Sequence, residues 1–459
     1  MKGQEKKTGD PRRRIREEIA KWRKELEKPD YSGYMAILIV MVALVHLLDE
    51  YASSASGAIQ SSIINDLFVN QMGVSYTVGL SMMSFVSLLT LIASLFASVF
   101  KSLADKYGRK PLLVISAMGM GGGMLICAIA PNAPVYFLGR AVVGFFTATD
   151  FQVLYIMEVS PDNKRGVFYS LTKAVGTIGI VLIAVVRGAF LTTDPGAWRK
   201  IYLIPAIAGL VLGLITLFAS RETKVFMRKR IEVLEEELSA PDLRAASKKD
   251  KAGLRVGFKM ILKNKELRNQ TIATCLFMCG MMAFTGFYES IMTMGGMSTD
   301  AVTRALFFYP IAWAVLLFIS GFVSDKMGRK FTIILFGAAA LVCQAGFIFG
   351  ARHGMNPLCV GLLLGGAIGC YWTSGNTISM MTNEMAPTRL RASIASVIGV
   401  MILIATLVST AVYAALVRMI PLNRLCLWGA VLTVGAGMLF LALTTKETAG
   451  MELDSEEMN

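Results

Sequence analysis

The sequence predicts an all-α membrane protein: twelve transmembrane helices arranged as two pseudo-symmetric six-helix bundles. Two observations carry that fold class. One is an apolar composition cut into runs of bilayer length; the other is a pair of charged motifs that recurs at corresponding places in the two halves. Of 459 residues, 54% are hydrophobic and 17% charged, and the mean hydropathy is +0.57, too apolar for a soluble chain of this size. About 20 apolar residues cross the hydrocarbon as a helix. Such runs lie near 35 to 57, 75 to 100, 112 to 130, 134 to 157, 167 to 190, 201 to 219, 271 to 293, 302 to 323, 331 to 350, 358 to 381, 393 to 418 and 426 to 444. None alternates over about ten residues as a barrel strand does.

In chain order, residues 1–33 come first. Their "PRRRIREEIAKWRKELEKPD" predicts a mixed-charge amphipathic helix on the inner membrane surface. It lacks the apolar core of a cleaved signal peptide. Residues 34–220 hold the first six spans, and 269–445 the other six. The linker 221–268 carries 14 basic and 8 acidic residues, and 446–459 form a tail. With the N-terminus inside, 37 of the 46 Lys and Arg residues fall on that side, so both termini are expected in the cytoplasm of a bacterial inner membrane. Topology and attraction to the lipid bilayer thus account for the +14 net charge, and no nucleic-acid partner is implied. The seven cysteines lie in or beside apolar spans without CxxC spacing. They read as small hydrophobes, and neither a metal nor a cofactor is expected.

The repeat is specific. "DKYGRK" at 105–110 returns as "DKMGRK" at 325–330, each in the loop between the second and third spans of its half. A second pair closes the fourth span of each half: Glu158, Pro161, Arg165 in one, Glu384, Pro387, Arg391 in the other, at identical spacing. Gly108 and Gly328 supply backbone freedom for a tight turn. Asp105 and Asp325 are suited to accept from a neighbouring helix N-terminus. Arg109 and Arg329 can pair bidentately with Glu158 and Glu384. Together these ten residues, Arg165 and Arg391 included, are expected to form a cytoplasmic gate.

"SLADKYGRKPLL", "GFVSDKMGRKFTI" and "GRAVVG" (139–144) resemble the major facilitator superfamily, over the whole chain. The first loop copy carries Lys101 where the family pattern and the second copy have glycine, Gly321. "ASRETK" and "TKETAGMELD", after spans six and twelve, are similar to end-of-half signals of sugar-porter and organic-ion members. The resemblance implies alternating access of a small-molecule substrate across the membrane, by a chain expected to be a monomer.

Ionisable residues inside spans cost roughly 2.5 to 3.5 kcal/mol each on insertion scales, so they face a cavity or a partner. In span one, His46, Asp49 or Glu50, Ser53, Ser56 or Gly57 and Gln60 recur at helical spacing and make a polar stripe. Span four holds Arg140 and, ten residues on, Asp150. If the helix is continuous, Asp150 lies about 15 Å deeper. That spacing resembles metabolite:proton symporters, which implies that Asp150 carries a proton, with Asp49, Glu50 and Arg140 beside it. Lys173 and Arg187 in span five can each counter an anion, Lys173 being preferred. His46, Gln60, Tyr288, Glu289, Tyr309, Trp372 and Asn376 are candidate substrate contacts; Glu289 sits in a glycine-containing, kink-prone stretch of span seven.

The chain has no HExxH, P-loop, Gly-x-Ser-x-Gly or Cys/His cluster and only two histidines, so it is not read as an enzyme. The expectation is proton-coupled uptake of a small organic metabolite, with drug or cation efflux in exchange for protons as the alternative. The paired glutamines of sugar porters in spans five and seven are absent, as is the Gly-Pro of drug antiporters in span five.

Overall fold

The computed structural model describes residues 11–27, 33–160, 165–192, 194–239, 254–386 and 391–448. The first half begins with α1 (Pro11–Glu27) and α2 (Tyr34–Ala58), then α3 (Gln60–Ile63), which runs into a π-helical turn at 64–70. It continues with α4 (Tyr76–Ser102), α5 (Ala104–Tyr107), α6 (Arg109–Ile129), α7 (Ala133–Thr147), α8 (Phe151–Val159), α9 (Arg165–Phe190) and α10 (Arg199–Ala219). The linker contributes α11 (Lys224–Ser239) and α12 (Leu254–Lys263). The second half is α13 (Lys265–Thr285), α14 (Tyr288–Met294), α15 (Thr299–Met327), α16 (Arg329–Arg352), α17 (Pro357–Met385), α18 (Arg391–Leu416) and α19 (Leu422–Thr444).

Eleven spans are uninterrupted or nearly so and apolar enough to cross a membrane, α7 and α8 counting as one. The twelfth is α13 plus α14, divided at Gly286 and Phe287. The helices start where the sequence supplies a cap. Asn132, Asn264, Ser298 and Asn356 each accept a backbone N–H in the first turn that follows, and Pro134 and Pro357 occupy positions where no N–H is needed. Large apolar side chains such as Phe96, Phe218, Phe318, Val342 and Leu443 stand on the outside, where lipid meets them. Inside, close approach is bought with small residues. At Gly179 of α9 an added Cβ would lie 2.2 Å from the Leu47 carbonyl oxygen of α2.

Three spans break. In the fourth span the helix stops after Thr147 and resumes at Phe151. The Thr149 hydroxyl donates to the Phe146 carbonyl at 2.7 Å, and Asp150 takes the left-handed conformation with φ 48°. The expectation of a continuous fourth helix is corrected here: Asp150 sits at a joint, so its depth relative to Arg140 is not that of a regular helix. Spans one and seven break at corresponding places, Ile59 (φ −130°, ψ 21°) and Phe287 (φ −130°, ψ 4°). Irregular backbone at such depth is tolerated where it lines a cavity or is buried in protein.

α1 also departs from expectation. It packs on α11 through Ile19, Ile231 and Leu234, flanked by Ile15, Trp22 and Leu26. Arg23 reaches Glu235 at 2.5 Å and Arg230 reaches Glu18 at 3.0 Å. The apolar stripe meant for lipid finds a matching stripe on the linker, so the two amphipathic helices cover each other.

The two halves converge at the end of the bundle opposite the basic loops. There α4 meets α18, with Ser81 donating to the Ala414 carbonyl at 2.6 Å and Arg418 to Ser81 at 3.1 Å. α9 meets α15, and α3 meets α14.

Candidate functional site

Between the halves lies a cavity of about 350 Å³. Glu50, Ser53, Ser56, Gln60 and Arg140 line it from the first half, and Tyr288, Tyr309, Trp313 and Trp372 from the second. Trp313 and Trp372 are stacked at 6.3 Å with 22° between their planes. Hydroxyl and amide groups on one wall face a flat aromatic wall on the other. Arg140 donates to the Ala52 carbonyl at 3.1 Å and sits beside Tyr136 and Tyr202, whose hydroxyls are 3.1 Å apart; its buried Nε has no partner. No ion pair joins it to Asp150 among the described residues.

The span-one stripe leads from this cavity to a carboxyl cluster. Asp49 is buried, and its Oδ2 accepts from Gln152 at 2.9 Å, while Oδ1 has no partner. Gln152 also contacts His46 Nδ1 at 3.3 Å, and His46 Nε2 lies 3.6 Å from Glu50. Asp150 and Lys173 lie close enough to act electrostatically on Asp49 and Glu50. Among the described residues Lys173 makes no ion-pair contact. Asp49 and Glu50, adjacent in sequence, thus divide their roles by helical angle: Asp49 is turned inward and Glu50 reaches the cavity.

At the basic end each half carries its own polar network. Arg109 Nε donates to both Glu158 oxygens, at 2.9 and 3.2 Å, and its Nη1 donates to the Ala104 carbonyl at 2.5 Å. Arg329 Nε donates to one Glu384 oxygen at 3.1 Å, with Ser324 and Asp325 on its Nη1 at 2.7 and 2.9 Å. Arg109 thus reaches both oxygens of its glutamate while Arg329 reaches one, and Thr223 and Thr448 each donate to Oε2 of the same glutamates at 2.6 Å. Asp325 pairs within its own helix end instead of capping a neighbour. That capping falls to Glu222, which accepts from the N–H groups of Arg109 (2.8 Å) and Lys110 (3.2 Å), and to Glu447, which accepts from Arg329 (2.8 Å) and Lys330 (2.9 Å). Burial pushes the Glu222 carboxyl above its ordinary range, opposed by N–H donors from Thr223, Arg109 and Lys110. Gly108 and Gly328 hold φ 103° and 88°, and a Cβ at either would collide with Glu222 at 2.1 Å or Glu447 at 2.7 Å.

Arg165 and Arg391 head α9 and α18, but their side chains, like those of Lys101 and Asp105, lie outside the described residues, as do Pro161 and Pro387. At Gly321 an added Cβ would meet nothing within 4 Å. Asn376 is exposed on α17. Glu289 does not line the cavity; it pairs with Arg187 at 3.3 Å. Sequence reasoning missed Gln152, and it quoted the Glu-Thr pairs after spans six and twelve without giving them a role. The dipeptide's recurrence at 222–223 and 447–448 was the available signal.

The profile of the Major Facilitator Superfamily matches residues 34–410. The chain belongs to the Major Facilitator Superfamily. It is a multi-pass membrane protein and a secondary active transporter. Among relatives, a Bacillus subtilis protein named for metabolite transport, YwtG, is 25% identical over 82% of this chain and 85% of its own length. The galactose-proton symporter of Escherichia coli K12 is 26% identical over 63% of this chain and 67% of its own. In fold, the inward-open xylose transporter XylE from E. coli superposes with a TM-score of 0.69 at 16% identity, covering 92% of this chain and 98% of that one.

Proposed function

We propose that this transporter takes up a small polar organic metabolite together with protons, and that the carboxyl cluster Asp49, Glu50 and Asp150 carries the proton. The observation that carries this reading is the continuity of that cluster with the central cavity: Glu50 belongs to both. A buried carboxylate with an unpartnered oxygen is costly, and a proton on Asp49 or Asp150 removes the charge at the step where the loaded halves must re-close. Asp150 stands at the joint between α7 and α8 in a backbone conformation uncommon for a residue other than glycine, as functional sites often do. Lys173 answers the charge of the cluster while it is ionised.

The substrate lies between the hydroxyl-rich wall and Trp313 with Trp372. That lining suits a compact molecule with hydroxyl groups and a flat apolar face, and the free Nε of Arg140 can receive an oxygen from it. The galactose-proton symporter among the relatives supports both the proton and the sugar-like class. The gate networks of the basic end are assigned to the cytoplasmic side and the junction of the halves to the outer side, following the distribution of Lys and Arg. The protein acts as a monomer in a bacterial inner membrane.

The test is purified protein in liposomes with an inward proton gradient, following internal pH while sugars, small acids, zwitterions and cations are added one at a time. Proton entry triggered by hydroxylated solutes is expected. Proton release on adding lipophilic cations, with no entry for any other class, would replace uptake with efflux.

A further inference from the structure

A buried ion pair outside the cavity lining joins the two halves. Arg187, near the outer end of α9, and Glu289, on α14, are 2% and 1% exposed at their side chains. Each draws partners from both halves. Glu289 Oε2 accepts from the backbone N–H and hydroxyl of Ser61, at 2.8 and 2.6 Å; Oε1 accepts from Arg187 at 3.3 Å and from Thr293 at 3.4 Å. Arg187 Nε donates to Thr303 at 3.0 Å, and its Nη1 donates to Ala58 carbonyl oxygen and to Glu289. One residue on, Ser290 donates to Gln60 at 2.6 Å and Tyr76 donates to Ser290 at 3.2 Å.

The location gives the pair its meaning. Spans one and seven hold corresponding positions in the two halves, and they break at Ile59 and Phe287 with nearly the same backbone angles. Counting from the breaks, Gln60 corresponds to Tyr288, and both line the cavity; Ser61 corresponds to Glu289, and the two touch. The pseudo-twofold axis therefore brings equivalent residues of two broken helices together, and the second half places a charge where the first has a hydroxyl. Arg187 supplies the counter-charge from the first half.

We propose that Arg187 and Glu289, with Ser61 and Thr303, form the outer lock of the transport cycle, positioning residues that set the balance between outer-closed and outer-open states. This rests on the alternating-access reading but not on the proton or the substrate. In the closed state both charges are buried and mutually satisfied; on opening both pass into water. Removing one charge strands the other in the closed state only, so each single neutralisation favours opening. Removing both relieves that penalty.

The test uses full-length protein in lipid nanodiscs with ketone-bearing amino acids carrying nitroxides at positions 194 and 300, exposed sites on the outer ends of the two halves. Electron–electron distances are measured without substrate or gradient. Wild type is expected to give one short distance. Glu289→Gln and Arg187→Gln should each raise a longer-distance population several-fold, and Arg187→Gln/Glu289→Gln should return most of the way to wild type. Should Glu289→Gln fail to fold, Glu289→Asp, which keeps the charge at a longer reach, is expected to give a smaller shift of the same sign. Unchanged distances in both single variants, or a double variant whose shift equals the sum of the two, overturns the lock. A failed proton-uptake assay leaves this result intact, so the two readings fail separately.

Discussion

At the scale of single residues, Asp150 is the sharpest case because it combines a charge with a backbone role. Its left-handed φ of 48° is one that Asn tolerates and Ala does not. Asp150→Asn should therefore fold as wild type and keep substrate counterflow while losing pH-driven accumulation. Asp150→Ala should in addition lower stability by about 1 to 2 kcal/mol, read as an earlier thermal transition. Loss of counterflow in the Asn variant would reassign Asp150 to binding. The two loop glycines permit a graded comparison. Gly108→Ala must adopt φ 103° and drive a Cβ to 2.1 Å from Glu222; Gly328→Ala faces 88° and 2.7 Å from Glu447. Both should destabilise, by about 1 to 3 kcal/mol, with the Gly108 variant the worse of the two in a detergent melt.

At the scale of elements, the notable behaviour is breakage. Helix–helix contact in lipid relies on small residues and polar contacts, and the three broken spans put their loosened turns where polar groups or the cavity receive them. The linker elements follow soluble-protein rules instead. α1 and α11 share an apolar seam, and Trp22 touches Phe226 edge-on at 5.6 Å while Arg109 lies over the same ring at 5.2 Å. α1 is thus connected to the polar network around Arg109 through the Phe226 side chain. Trp22→Ala should release α1: faster proteolysis within 11–27, with the melt of the membrane bundle changed little. If proteolysis stays at the wild-type rate, the seam rests on Ile19 and the ion pairs alone.

At the scale of the whole molecule, the two halves are alike in framework and unlike in cargo. Both use Gly, Arg, Glu and a Glu-Thr pair to tie the basic end of each half to itself. The carboxyl cluster belongs to the first half, and the stacked tryptophans belong to the second. We propose a division of labour on that basis, in which the first half takes the proton and the second reads the substrate's shape. Trp372→Ala should raise KM about two- to tenfold, as expected for the loss of an aromatic contact, with the proton stoichiometry unchanged. A change in stoichiometry would tie Trp372 to coupling instead.

Much of this was legible in the sequence because the bilayer imposes simple rules. Span length, the bias of Lys and Arg, and the duplicated "DKxGRK" determined the helical architecture and the two-half plan, since each depends only on local composition and spacing. The Arg109–Glu158 and Arg329–Glu384 pairs were readable for the same reason, each repeating at fixed spacing. What only the tertiary structure decided were choices among partners. Local periodicity could not tell that Thr223 and Thr448 would donate to the same two glutamates, or that α1 would find α11. Nor could it show that Glu289 would leave the cavity for Arg187. Asp49 and Glu50 stand about 100° apart on one helix, and only packing against Gln152 turned one inward and left the other facing the cavity. A buried charge takes whichever counter-group the fold brings within reach, and that reach is set by contacts between residues far apart in sequence, from 64 positions for Thr448 and Glu384 to 103 for Gln152 and Asp49.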